Sequence, residues 1–125
     1  MNQTGRDIFR AIHEGKWLQI EYKNRSGQVT KYWIGIQDMD LQRMSLTVCG
    51  LHLGNRERAR LTIYISSILS TFVIEGTYER KNEALIADIR TNPEKYEHLF
   101  GNVANLKILN YLSECNRMDT TPYYT

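Results

Sequence analysis

Six residues in the middle of the chain combine positive charge with aromatic rings, a combination that suits nucleic acid. Cations follow the phosphates of a strand, while rings stack on its bases at about 1 to 3 kcal/mol each. If the strands that carry these residues are neighbours, their outward side chains form one basic face with aromatic rings in it. The predicted ligand-binding residues are Lys31, Trp33, Arg43, Arg58, Arg60 and Tyr64.

A solvated polar face explains the same residues. An outward sheet face must be polar, arginine pairs well across strands, and aromatic residues favour strands in any setting. The densest charge cluster, residues 56–60, is interrupted by Glu57. A binding face and a solvated face are therefore both open interpretations of the pattern.

The residue types that support catalysis do not occur at catalytic spacing. The histidines, at positions 13, 52 and 98, are not spaced as metal ligands. Asp38 and Asp40 could hold a cation or act as acid and base, but two acids beside a turn more often bond to their own backbone. The sequence predicts no catalytic residue, no metal site and no cofactor.

Two cysteines, Cys49 and Cys115, have no nearby cysteine or histidine at ligand spacing, which indicates reduced thiols in or near the core. No apolar run approaches the length of a membrane span, and the first residues lack the basic and apolar regions of a signal peptide. These features predict a cytoplasmic protein that does not bind membranes.

The net charge of +2 is too small to indicate a nucleic-acid-binding protein by itself. Its distribution is uneven. Residues 1–78 carry ten Lys and Arg against seven Asp and Glu, which gives +3, whereas residues 79–125 carry six against seven, which gives −1. Any attraction for phosphates is therefore expected in the first part, and it should be weak and sensitive to salt.

The predicted ligand-binding residues fall on short runs of alternating apolar and polar residues, which are typical of β-strands. A short amphipathic helix, capped by Thr4 and ended by Gly15, precedes them. Gly35 lies inside the second run and predicts a bulge or bend. The five runs are Lys16–Lys23, Val29–Asp38, Arg43–Leu51, Arg58–Ile65 and Leu69–Glu75. So many short strands with so little helix between them predict a small β-barrel.

The alternation in these runs separates a core face from a solvent face. Trp17 does not fit the alternation, and we expect it to cover a barrel end or the first helix. The residues predicted to be buried are Leu18, Ile20, Leu46, Leu61 and Ile63.

After residue 78 the pattern changes from strand to helix. Asn82 is a candidate cap for one helix, Asn92-Pro93 starts a second, and a third is predicted from Val103 through Cys115. The chain thus divides into a barrel with its leading helix (1–78), a helical appendage (79–118) and a linker to a downstream domain (119–125).

The order of helix, strands and turns resembles the WYL domain. The matching residues are Ala11-Ile12, Leu18–Tyr22, Gly27, Lys31, Leu46, Arg58, Arg60 and Ile68. The triplet that names the family reads Met44-Ser45-Leu46 here, and Ser67 stands where the family usually has an arginine. The resemblance implies an SH3-like or Sm-like barrel that serves bacterial DNA-related proteins as a ligand-sensing or nucleic-acid-responsive accessory module.

A second resemblance concerns Cys115–Asp119, which together with the barrel and helices looks like the leading region of some large bacterial helicase-type ATPases. The chain contains no Walker motif and cannot bind ATP by that route.

The sequence thus predicts an α+β domain without catalytic activity, which binds nucleic acid or a nucleotide-like ligand on behalf of a larger DNA-associated protein. Its expected partners are single-stranded nucleic acid, a downstream domain of the same polypeptide, and a second copy of the chain. The alternative is a protein-protein or interdomain interaction module that does not bind nucleic acid.

Overall fold

A computed structural model of the chain describes residues 3–101. A leading helix, five strands and a group of short helices follow one another in the predicted order. Their bounds are α1 Gln3–Glu14, β1 Trp17–Lys23, β2 Val29–Asp40, β3 Ser45–His52, β4 Arg58–Tyr64, a 3-10 turn at Ile65–Ser67, β5 Ile68–Ile74, α2 Glu83–Thr91, a second 3-10 turn at Pro93–Tyr96, and α3 Glu97–Phe100.

The strands form one antiparallel sheet in the order β4-β3-β2-β1-β5. Among the described strands no ladder joins β4 to β5, so the sheet is open where the sequence predicts a barrel. A flat sheet of this order would separate its two edges by about 19 Å. Here only three residues, Ile65–Ser67, join those edges. The sheet is therefore strongly curled, and the Tyr64 N–H reaches across to donate to the Tyr22 hydroxyl at 3.1 Å.

The concave side of the sheet holds the core. Of the residues predicted to be buried, Leu18, Ile20, Leu46 and Ile63 are buried and Leu61 is half-buried. Helix α1 covers this side with its own apolar stripe, Ile8, Phe9, Ala11 and Ile12. The helix already includes Gln3 and Thr4, so Thr4 is not its cap.

The residues after β5 add to the same core. As predicted, the Asn82 side chain caps α2 by accepting a hydrogen bond from the Leu85 N–H at 3.0 Å. Pro93 opens the 3-10 turn, and Phe100 packs edge-on against Phe9 of α1 with ring centroids 5.2 Å apart. The predicted helix from Val103, Cys115 and the linker 119–125 lie outside the described residues.

Candidate functional site

Five of the six predicted ligand-binding residues lie on one face of the sheet, and four of these lie near one another. Lys31 and Trp33 project from β2 and Arg58 and Arg60 from β4, all on the side opposite the core. The intervening strand β3 places Leu51 between Trp33 and Arg58. We call the part of this side that surrounds them the outer face; its residues in β1 to β4 are Trp17, Gln19, Glu21, Lys31, Trp33, Gly35, Cys49, Leu51, Arg58 and Arg60.

The other two predicted residues lie apart from this group. Arg43 is in the turn before β3, not in the strand, and its main-chain N–H donates to Asp40 Oδ1 at 3.2 Å. Tyr64 ends β4 opposite Ser45. Six residues of strand separate Tyr64 from Arg58, which corresponds to about 20 Å. The structure therefore brings together Lys31, Trp33, Arg58 and Arg60, but not Arg43 or Tyr64.

Arg58 lies along the outer face. Its Nη2 donates to Cys49 Sγ at 3.8 Å, and its guanidinium carbon lies 6.0 Å from the centroid of the Trp17 ring. A guanidinium at this distance from an indole is attracted by the ring quadrupole. Trp17 is thus a member of the candidate site, and its predicted role as the cover of a barrel end or of the first helix stays a prediction.

Trp33 is fixed by its neighbour on β1. Its Nε1–H donates to Gln19 Oε1 at 3.0 Å, and Gln19 is its cross-strand partner. This bond orients the indole and leaves the ring half-buried on the outer face. Both tryptophans of the chain are therefore held in defined orientations beside the arginines of β4.

Residues 75–82, which we call the strap, lie against one end of the outer face. The Trp17 N–H donates to Thr77 Oγ1 at 2.9 Å and the Trp17 Nε1–H to the Tyr78 carbonyl at 3.1 Å. The Glu79 N–H donates to the Gly15 carbonyl at 2.7 Å, and Asn82 Nδ2 donates to the Gln37 carbonyl at 2.8 Å.

The strap places the carboxylate of Glu79 directly on Gly35. A Cβ at position 35 would collide with the Glu79 carboxylate where it now lies, so a side chain here would require that carboxylate to move. The sequence predicts a bulge or bend at Gly35, and the β2–β3 register shifts close to it, between Ile36 and Asp38. Gly35 therefore lies beside this irregularity and permits the close approach of the Glu79 side chain.

The charge of the outer face is only weakly positive. Lys31, Arg58 and Arg60 contribute three positive charges, and Glu21, the cross-strand partner of Lys31, contributes one negative charge. The charges of the strap cancel, because Glu75 and Glu79 oppose Arg80 and Lys81, but the Glu79 carboxylate lies on Gly35. A net charge of +2 on the outer face favours weak, salt-sensitive attraction of polyanions.

Strand β5 adds exposed apolar side chains that the sequence analysis did not single out. Phe72 is 65% exposed and Leu69 54% exposed, and Tyr78 in the strap is 74% exposed. Phe72 pairs with Gln19, so its ring extends the outer face beyond β1. The alternation of side chains in β5 places Phe72 on the solvent side, so the sequence pattern could have indicated this residue.

The residues considered for catalysis make structural hydrogen bonds. His52 Nδ1 accepts the N–H groups of Gly54 and Asn55 at 3.0 and 3.1 Å, which closes the β3–β4 turn. Asp38 Oδ1 accepts the Met39 N–H, and Asp40 Oδ1 accepts that of Gln42. Within residues 3–101, no group of three or more His, Cys, Asp or Glu side chains is placed to hold a metal ion.

Comparison with solved structures gives a weak likeness, whereas no protein-family model and no curated protein matches the chain. Among solved structures, the chain is similar to proteasome accessory factor B/C (PafBC) of Arthrobacter aurescens, with 14% identity, a TM-score of 0.49 and 73% of this chain covered. The match spans 14% of that longer chain. Of the described helices, none is long and apolar enough to span a membrane.

Proposed function

We propose that the chain is a non-catalytic, cytoplasmic accessory module of a larger DNA-associated protein, and that its outer face binds nucleic acid or a nucleotide-like ligand. The observation that carries the proposal is the grouping of Arg58, Arg60 and Lys31 with Trp17 and Trp33 on one sheet face. Cations of this kind follow phosphates, and rings beside them stack on bases.

We further propose that the module is a WYL-like domain with the curvature of an SH3-like barrel. Residues that carry the resemblance lie in the strands expected from the sequence: Leu18–Tyr22 in β1, Arg58 and Arg60 in β4, and Ile68 at the start of β5. The three-residue connection between the edge strands supports the strong curvature that such a barrel requires.

An oligonucleotide titration at low salt tests the function. We expect the logarithm of the affinity for a single-stranded oligonucleotide to fall linearly with the logarithm of the salt concentration, because bound cations release counterions. Reversing the charges of Arg58 and Arg60 to Glu should abolish binding. The control variant reverses Arg6 and Arg25, which are exposed on α1 and in the β1–β2 turn, and should bind almost as wild type does.

Two results would contradict the proposal. The first is absence of binding at low salt by wild-type protein that is folded. The second is equal loss of affinity in the Arg58/Arg60 and Arg6/Arg25 variants, since that outcome reflects net charge and not the outer face.

The second candidate function is a protein or interdomain interaction module. It is favoured by β5, which within residues 3–101 is an edge strand of the sheet and leaves Leu69 and Phe72 exposed. Such an edge can pair with another chain, and exposed apolar groups there mark interfaces. The proposed partner is the downstream domain of the same polypeptide, or else a second copy of the chain.

Amide hydrogen exchange separates this function from the first. In an interaction module, the amides of residues 68–74 exchange more slowly in the longer polypeptide, or at concentrations where copies associate, than in the monomeric chain. Unchanged exchange at β5 under both conditions would remove this candidate.

A further inference from the structure

The strap is held by its main chain and by neighbouring side chains, not by the carboxylate of Glu79. The Trp17 indole donates to the Tyr78 carbonyl, and the Glu79 N–H donates to the Gly15 carbonyl. The carboxylate itself accepts a hydrogen bond from the Arg80 N–H at 2.8 Å, which is a local contact. The Glu79 side chain can therefore leave Gly35 while the anchors of the strap stay in place.

The place that this carboxylate occupies is suited to an oxyanion. Gly35 has no side chain, so a ligand can approach the backbone of β2 closely. Cys49 is the cross-strand partner of Gly35, and the Arg58 guanidinium lies over Cys49 on its way to Trp17. Carboxylate and phosphate groups are both oxygen acceptors that guanidinium groups bind.

We propose that the Glu79 carboxylate occupies the position at which a phosphate group of bound nucleic acid enters the outer face, so that the strap competes with the ligand. This inference rests on the proposed function and deepens it. Binding displaces the carboxylate from Gly35, and Arg58 then faces the phosphate. Until the ligand binds, the Glu79 carboxylate offsets one positive charge of the outer face.

The test compares Glu79→Gln with wild type in binding a fluorescent single-stranded oligothymidylate about 12 nucleotides long at low salt. Glutamine keeps the size of the side chain and removes its charge. We expect about 3- to 10-fold tighter binding, the effect of removing one like charge at close range from the ligand. The gain should shrink as salt is added, because salt screens the repulsion that the variant removes.

A matched control is Glu94→Gln, which makes the same charge change at an exposed residue of the second 3-10 turn. Its affinity should equal that of wild type. Measurable binding by Glu79→Gln, under conditions in which wild-type binding is too weak to measure, also supports the inference.

Three outcomes would overturn it. Wild-type protein that binds as well as Glu79→Gln overturns this inference and leaves the proposed function intact. An equal gain in Glu94→Gln reflects net charge alone and also overturns it. Absence of binding by both wild type and Glu79→Gln overturns the inference and the proposed function together.

Discussion

The carboxylate of Asp88 stabilises the turn after α2 by accepting several hydrogen bonds. Asp88 accepts hydrogen bonds from the Tyr96 hydroxyl, from Lys95 Nζ at 2.9 Å and from Asn92 Nδ2 at 2.9 Å. These bonds lower the pKa of Asp88 from its ordinary value of 3.8 to about 2, and the bond from Tyr96 has the largest effect on the pKa. Burial, and then the bond to Asp88, raise the pKa of Tyr96.

Asp88 should therefore make the stability of the protein depend on acid pH. Its folded-state pKa lies below the unfolded-state value, so its contribution is fully present above about pH 4 and is lost as the pH falls toward about 2. We expect Asp88→Asn to be less stable than wild type at neutral pH and the difference to narrow over that interval. Urea unfolding at a series of pH values measures this, and parallel curves for the two proteins would contradict it.

Among the elements, β3 and β4 carry the core beneath the candidate site. Leu46 pairs with Ile63 across these strands, and the two side chains are 0% and 2% exposed. Leu61, also on β4, is only half-buried. The two leucines therefore form a matched pair that differs in burial.

Truncation of Leu46 and of Leu61, each in its own variant, tests the register of the strands. Leu46→Ala should cost about 2 to 5 kcal/mol of unfolding free energy, because it removes buried apolar surface and leaves a cavity. Leu61→Ala should cost less, since part of its side chain already contacts water. Chemical denaturation of the two variants checks this. An unchanged stability of Leu46→Ala would show that Leu46 is not buried and that the register is wrong, since a one-residue slip would turn the outer-face residues inward.

The strands could be predicted from the sequence because their signal is local. Period-two alternation gave bounds within two residues for the start of every strand, and Asn82 and Pro93 marked the later helical turns. The same alternation placed Lys31, Trp33, Arg58 and Arg60 on one side. Arg43 was assigned to β3 although the turn before that strand extends to Met44, whose positive φ of 50° is unusual for a residue with a side chain.

The rest of the candidate site depends on contacts between distant segments. The strap has no periodicity that would place Glu79 on Gly35, and the contact of Arg58 with Trp17 crosses two intervening strands. Strand order and curvature decide both contacts. An isolated alternating pattern contains neither, so neither contact could be predicted from it.

On the scale of the whole molecule, the helices and the sheet share one core. Phe100 of α3 contacts Phe9 of α1 edge-on and stacks with Tyr96 at 5.9 Å between ring centroids. Arg10 of α1 bonds Glu75 at the end of β5 at 2.9 Å. These contacts connect the leading helix to the end of β5 and to helix α3.

Unfolding of this core should be cooperative. Phe100→Ala should cost about 3 to 5 kcal/mol, the usual range for loss of a buried phenylalanine. Both tryptophans lie in strands, so their fluorescence reports the sheet, while far-ultraviolet circular dichroism reports the helices as well. We expect the two transitions to coincide in wild type and to shift together in the variant. A helical signal lost at lower denaturant, with fluorescence unchanged, would show α2 and α3 to be an independent appendage.

The most direct test of the central claim uses the two tryptophan indoles, which are the only ones in the chain. Trp17 donates its indole N–H to the Tyr78 carbonyl and Trp33 to Gln19, so each gives its own nitrogen–proton resonance on the outer face. Titration of labelled protein with a single-stranded oligonucleotide at low salt should move both indole signals together with the amides of Arg58 and Arg60. Binding that leaves these signals in place, or that moves only the amides of β5, would contradict nucleic-acid recognition by the outer face.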